Sequence, residues 1–145
     1  MVENLSDSFN RLIWHDSKLR ALRILRKADL DEVHLDVDFM AMSGQEFTPL
    51  TVVLEDALFF FSDIDLQLKR ECSDDISNAK CAATSDLITK LHNERLKLSP
   101  DALARYLHFR VYLIPLVGTI DVLASGFRLK ERANETGPIR QPEVD

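Results

Sequence analysis

Residues 32–39 alternate strictly. Val33, Leu35, Val37 and Phe39 fall on one side, and Glu32, His34, Asp36 and Asp38 on the other. A two-residue period predicts a strand with one dry face and one acidic, wet face. Leu107, Phe109, Val111 and Leu113 alternate with His108, Arg110 and Tyr112 in the same way. A third such segment sets Phe60, Ile64, Leu66 and Leu68 against Asp63, Asp65, Gln67 and Lys69. Weaker patterns predict strands at 18–26, 50–55 and 118–130, the last with a bulge at Gly126 where the alternation shifts. Turn residues separate them: Ala28-Asp29-Leu30-Asp31, Ser43-Gly44-Gln45, and Pro115 to Gly118.

Helical signals are few. Ser85 suits an N-cap, Asp86 the positive end of a helix, and Leu87, Ile88, Leu91 and Leu98 an apolar stripe, which predicts a helix over 85–97. Ser99-Pro100-Asp101 starts a second, short helix, and a turn of helix is expected near Ser8 to Ile13. The fold class is therefore α+β: a twisted antiparallel sheet of about six strands with one main helix packed on it. Residues 1–132 form one domain, and the proline-containing stretch 133–145 is expected to be a mobile tail.

Composition changes the picture little. The 145 residues are 46% hydrophobic and 29% charged, values of an ordinary globular domain. The net charge of -6 disfavours phosphate backbones, and Arg20, Arg23, Arg26 and Lys27 are spread along a strand rather than massed, so no nucleic-acid partner is expected. No run approaches the ~18 apolar residues of a membrane span. The first residues lack the basic start and apolar core of a secretory signal, so a cytoplasmic protein with reduced Cys72 and Cys81 is expected.

Candidate chemistry is sparse. Trp14-His15-Asp16-Ser17 sets an imidazole beside a carboxylate. The simpler reading has Trp14 plugging the core while Asp16 and Ser17 bond nearby backbone. This start, followed by an alternating strand and a hairpin, resembles small bacterial immunity proteins of polymorphic toxin systems and their uncharacterised relatives. The resemblance covers about the first 40 residues. It implies a small cytoplasmic α+β domain that neutralises a toxin by binding, without catalysis.

Cys72, Cys81 and His92 are badly spaced for zinc, and 71–81 reads as a polar loop. Asp63, Asp65, Gln67 and Lys69 share something with magnesium-dependent nuclease strands, but Gln67 stands where such a site places a glutamate, and a solvated strand face explains them better. His34 and His108 read as surface histidines on different strands. Phe59-Phe60-Phe61 breaks the alternation, so at least one ring leaves the main core, to meet either a helix on the second sheet face or a partner or second copy.

The reading that follows is a non-catalytic binding protein using an acidic surface of Glu32, Asp36, Asp38, Asp63 and Asp65 to steer a basic protein partner. It calls for no cofactor, no metal and no catalytic residue. A homo-oligomer would form through Phe59–Phe61. The alternative is a hydrolase or metal enzyme using the His15/Asp16 pair and the acidic strand face.

Overall fold

The computed structural model describes residues 4–41, 44, 46–65, 75–96, 99–114 and 118–132. In chain order the elements are α1 (Leu5–Asn10), β1 (Lys18–Arg26), β2 (Asp31–Met40), β3 (Phe47–Glu55), β4 (Phe59–Ser62) and β5 (Ile76–Ala82). These are followed by α2 (Asp86–Leu91, running into a π-helical turn over His92–Leu96), α3 (Pro100–Leu103), β6 (Leu107–Leu113), β7 (Thr119–Ala124) and β8 (Gly126–Glu131). The class is α+β with antiparallel pairing throughout. The strands form two four-stranded sheets, β1-β2-β3-β8 and β4-β7-β6-β5, instead of the single sheet expected.

The division follows from two chain corners. β3 pairs with β8, and β4 pairs with β7. Each ribbon arm bends from one sheet to the other, at residues 56–58 on one side and Ser125 on the other. Asp56 takes φ 52 at the first corner. Ser125 N–H donates to the Glu55 carbonyl (2.9 Å) and Leu58 N–H to the Leu123 carbonyl (2.8 Å), tying the corners together. The shifted alternation near Gly126 is thus a change of sheet, not a bulge in one strand.

The core lies between the sheets. Val33, Leu35, Val37, Val52 and Leu54 of the first sheet share one buried cluster with Phe109, Val111, Leu113, Ile120 and Val122 of the second. α1 closes one end. Its Phe9 ring stacks near Trp14 (4.7 Å between centroids), Phe109 (5.0 Å) and Phe127 (5.2 Å). Trp14 plugs this end as expected, its indole N–H donating to the Phe9 carbonyl at 2.9 Å.

Three other expectations change. Residues 76–81, read as loop, form β5 together with Ala82, and its inward positions Ile76, Ala79 and Cys81 are mostly too small to show a strong period. The strand read over 63–69 is absent over its first three residues, and the strand just before them, β4, covers Phe59–Ser62. Asp63, Ile64 and Asp65 are outside any strand, and Leu66, Gln67, Leu68 and Lys69 lie outside the described residues. The first helix begins at Leu5, three residues before the expected turn, with Asn4 as its N-cap. Cys72, Leu98, Pro115 and the tail 133–145 also lie outside the described residues.

Gly118 shows why the β6–β7 turn needs glycine. Its φ is +134, and a Cβ there would lie 2.9 Å from the Asp63 carbonyl oxygen. No described helix is long and apolar enough to cross a membrane.

Candidate functional site

The outer face of the first sheet carries the acidic residues the alternation singled out. Glu32, Asp36 and Asp38 do point away from the core, but they are not a free acidic surface. β1 and β8 flank the central strands and lay long cations over them. Arg23 grips Asp36 through both Nη nitrogens at 2.8 Å, and Thr51 Oγ1 donates to the same carboxylate at 2.7 Å. Arg20 (2.7 Å) and Arg132 (2.8 Å) hold Asp38. Lys27 (2.8 Å), His34 (3.0 Å) and Arg128 (3.6 Å) surround Glu32. The side chain of Arg23 is 48% exposed and that of Asp36 only 9%, so on this face solvent meets the cations first.

These pairs are reflected in protonation. Hydrogen bonds from Lys27 and then His34 pull Glu32 down to about 2. A carboxyl with a depressed folded pKa stabilises above its ordinary value and loses that contribution as pH falls through the folded one. Glu32→Gln is therefore expected to lower stability at pH 7 by about 1 kcal/mol, discounted because Lys27 and Arg128 are half in solvent. The penalty should vanish as pH falls from about 4.5 toward 2. Urea midpoints at pH 7 and pH 3 check this; equal penalties at both would contradict it.

The remaining acids are placed differently. Asp63 accepts the Thr119 amide (2.7 Å) and hydroxyl (3.2 Å). The Thr119 amide holds its pKa below the ordinary range, so this carboxylate clamps the β6–β7 turn. Asp65 is exposed at the end of a described segment. His15 and Asp16 do pair, Nδ1 to Oδ2 at 2.9 Å, but their side chains are 77% and 61% exposed, and they line none of the three cavities described for this structure. Ser17 instead bonds backbone, donating to the Ile13 carbonyl (2.6 Å) and accepting from the Met40 amide (2.9 Å). His34 and His108, read as surface histidines, are both buried, and they belong to different sheets. Cys81 packs in the inter-sheet core, where burial raises its thiol pKa, while His92 sits in the π-helical turn. Among the described residues no three or more His, Cys, Asp or Glu are grouped to hold a metal.

The second sheet carries the more organised site. Cross-strand register places Arg110 opposite Asp121, and Asp121 opposite Phe61. Asp121, nearly buried, accepts from His108 Nε2 (2.7 Å) and from Arg110 Nε (2.6 Å) and Nη2 (3.4 Å). These bonds raise the already high pKa of Arg110, so it stays protonated. His108 Nδ1 lies 2.9 Å from Ser85 Oγ, which also accepts the Ile88 amide as the N-cap of α2. With Nε2 carrying the proton, Nδ1 accepts from Ser85 and every member of the chain is satisfied.

Serine, histidine and aspartate in a row are the makings of a hydrolase triad. Here the serine oxygen is engaged by the helix it caps, and Ser85 is not among the residues lining the adjacent cavity. The chain acts as an anchor. It pins the start of α2 to the sheet and fixes Arg110 in place.

Beside that anchor opens a cavity of about 600 Å³. Phe59, Phe60, Phe61, Leu87 and Leu91 supply its apolar walls, and Lys90, Glu94, Arg110 and Asp121 its polar groups. The three phenylalanines point different ways, and one of them does meet the helix on the second sheet face. Phe60 packs on the core, Phe59 packs with Leu87 around Ile88, Leu91 and Leu123, and Phe61 remains 52% exposed. The volume falls within the range of ligand sites, and the mixture of apolar walls and a few converging polar groups is what such sites present.

Asp121 escaped the sequence reading. The signal was present: alternation puts it on the polar face of its strand, and antiparallel pairing of that strand with β6 brings it opposite Arg110.

No family model matches the chain, and neither a curated protein nor a solved structure is similar to it.

Proposed function

We propose that this chain is a non-catalytic protein-binding domain that takes an extended segment of a partner protein along β4, with that segment's side chains entering the groove under α2. The observation that carries this reading is the unequal protection of the sheet edges. An open edge strand invites another strand, and proteins ordinarily guard it. β5 is guarded: the Asn10 side chain accepts the Cys81 amide (2.8 Å) and donates to the Cys81 carbonyl (3.1 Å). The Ile76 amide and carbonyl of the same strand are taken by Ser17 (2.7 Å) and Asp16 (3.0 Å). β1 and β8 expose Ile24 and Leu129, but between charged neighbours: Arg20, Arg23 and Arg26 on one, Arg128, Lys130 and Glu131 on the other.

Among the described residues β4 has none of these devices. No described strand pairs with its outer side, Leu58–Ser62 contains no charge, and Leu58 and Phe61 are exposed. Strand addition supplies affinity through backbone bonds and specificity through pockets for alternate side chains. The groove under α2 is such a pocket. The acid-led recognition of a basic partner does not carry the reading, because Glu32, Asp36 and Asp38 lie beneath cations. The resemblance of Trp14-His15-Asp16-Ser17 to immunity proteins makes a toxin the partner class to try first.

The test uses a random linear-peptide library displayed on phage, panned against the whole chain. Enriched peptides should be apolar at alternate positions. Phe61→Lys and Leu58→Lys should each weaken their capture by roughly tenfold or more while leaving the thermal midpoint nearly unchanged. Binders indifferent to both substitutions, or no binders at all, would overturn the proposal. Concentration-dependent dimerisation abolished by Phe61→Lys would assign the edge to a second copy instead.

A further inference from the structure

On the opposite side of the molecule, the outer face of the first sheet holds a second concavity of about 300 Å³. Arg23 from β1 forms one wall, with Lys130 of β8 and the adjoining Arg132 forming the other. His34, Asp36 and Thr51 of the central strands make the floor, and Glu131 stands among the lining residues. We infer that this concavity is a binding site for a small oxyanion, a carboxylate or phosphate group, held between Arg23, Lys130 and Arg132.

The argument is an account of donors and acceptors. The floor carboxylate, Asp36, already accepts two hydrogen bonds from Arg23 and one from Thr51, so little of its accepting capacity or its charge is left to face the cavity. Donors remain. The Lys130 ammonium has no ion-pair or hydrogen-bond partner among the described residues. Arg132 reaches Asp38 (2.8 Å) and the Leu50 carbonyl (3.4 Å) through Nη2 alone, and its Nε–H is covered from solvent with no acceptor.

That nitrogen is out of reach of a solvent-sized group, so the donors offered to a ligand are the Lys130 ammonium and Arg132 Nη1. A cavity lined by three cations and two carboxylates, with its floor carboxylate Asp36 engaged and donors of Lys130 and Arg132 still open, is complemented by a group that only accepts. That is the chemistry of an oxyanion, and arginine forks match both planar carboxylates and tetrahedral phosphates. The volume is at the lower bound for ligand sites, which limits the ligand to a small molecule or a single anionic group of a larger one. Glu131 opposes binding from within the lining, so the affinity expected is modest.

The experiment titrates the full chain with sodium phosphate and, separately, sodium acetate at constant ionic strength, read by amide chemical shifts. Sodium chloride serves as the reference. Saturable shifts at Thr51, Lys130 and Arg132 with a dissociation constant of about 1 mM or tighter are expected for at least one oxyanion. The relative affinity of the two identifies the tetrahedral or the planar group. Lys130→Ala, an exposed position, should weaken the response by roughly tenfold, and Lys90→Ala on the other sheet should not. Shifts that chloride reproduces, or that Lys130→Ala leaves intact, would overturn the inference, as would no saturation by either anion. Neither result bears on β4, which lies in the other sheet.

Discussion

Phe9→Ala is expected to destabilise the protein by about 3–5 kcal/mol, the usual range for emptying a large buried aromatic site. Phe9 is fully buried and its ring lies within about 5 Å of Trp14, Phe109 and Phe127. Phe109 belongs to the second sheet and Phe127 to the first, so one side chain of a six-residue helix joins α1 to both. A helix that short has no stability of its own and depends on this contact. Against a typical total of about 5–15 kcal/mol, the variant would be marginal at best. Urea denaturation at pH 7 measures the loss, and a change under about 1 kcal/mol would refute the role given to Phe9.

The same substitution has a second consequence. α1 also presents Asn10, whose side chain seals the Cys81 position of β5. Once α1 detaches, β5 becomes a second open edge. Faster hydrogen exchange at Cys81 and a rise in aggregation should accompany the stability loss. Asn10→Ala should reproduce the exchange effect with a smaller loss of stability, because it removes the seal and leaves the ring.

The contrast between elements shows what the residue pattern carried. β2 and β6 were legible because alternation over seven or more residues defines a strand and its inward face. α2 was legible because Ser85 and the Leu87, Ile88, Leu91 stripe are local signals. What alternation does not encode is which sheet a strand joins. The segment 118–130 holds one greasy rhythm with a slip, and only the corner at Ser125 distributes it to two sheets. β5 was hidden because Ala79 and Cys81 are too small to stand out from Asn78 and Lys80.

The candidate sites show the same limit. Charge patterning placed Glu32, Asp36 and Asp38 on an outer face correctly, but which charge meets water depends on side-chain length and on the neighbouring strands. Arginines on β1 and β8 are longer than the acids between them and lie on top. The aromatic run at 59–61 was legible as an irregularity. Its meaning depends on β4 being an edge, which is a property of the sheet order and not of the run.

Asp121→Ala carries the largest effect expected at the candidate site itself. The substitution removes the acceptor shared by His108 and Arg110 and leaves the buried His108 Nε2–H without a partner. Removing one member of a buried charged pair costs about 3–5 kcal/mol. Arg110 is 42% exposed and regains water, so a loss of about 2–3 kcal/mol is expected here. The loss should not be confined to the sheet. If the Ser85–His108–Asp121 chain anchors α2, amides over 88–94 should exchange faster in Asp121→Ala, and the Arg110 side of the groove should loosen with them. A double-mutant cycle with Ser85→Ala isolates the coupling, since residues joined in one hydrogen-bond network are non-additive by about 0.5 kcal/mol or more. Strict additivity, with α2 exchange unchanged, would reduce the chain to two independent local contacts and remove the support it gives to a preformed groove.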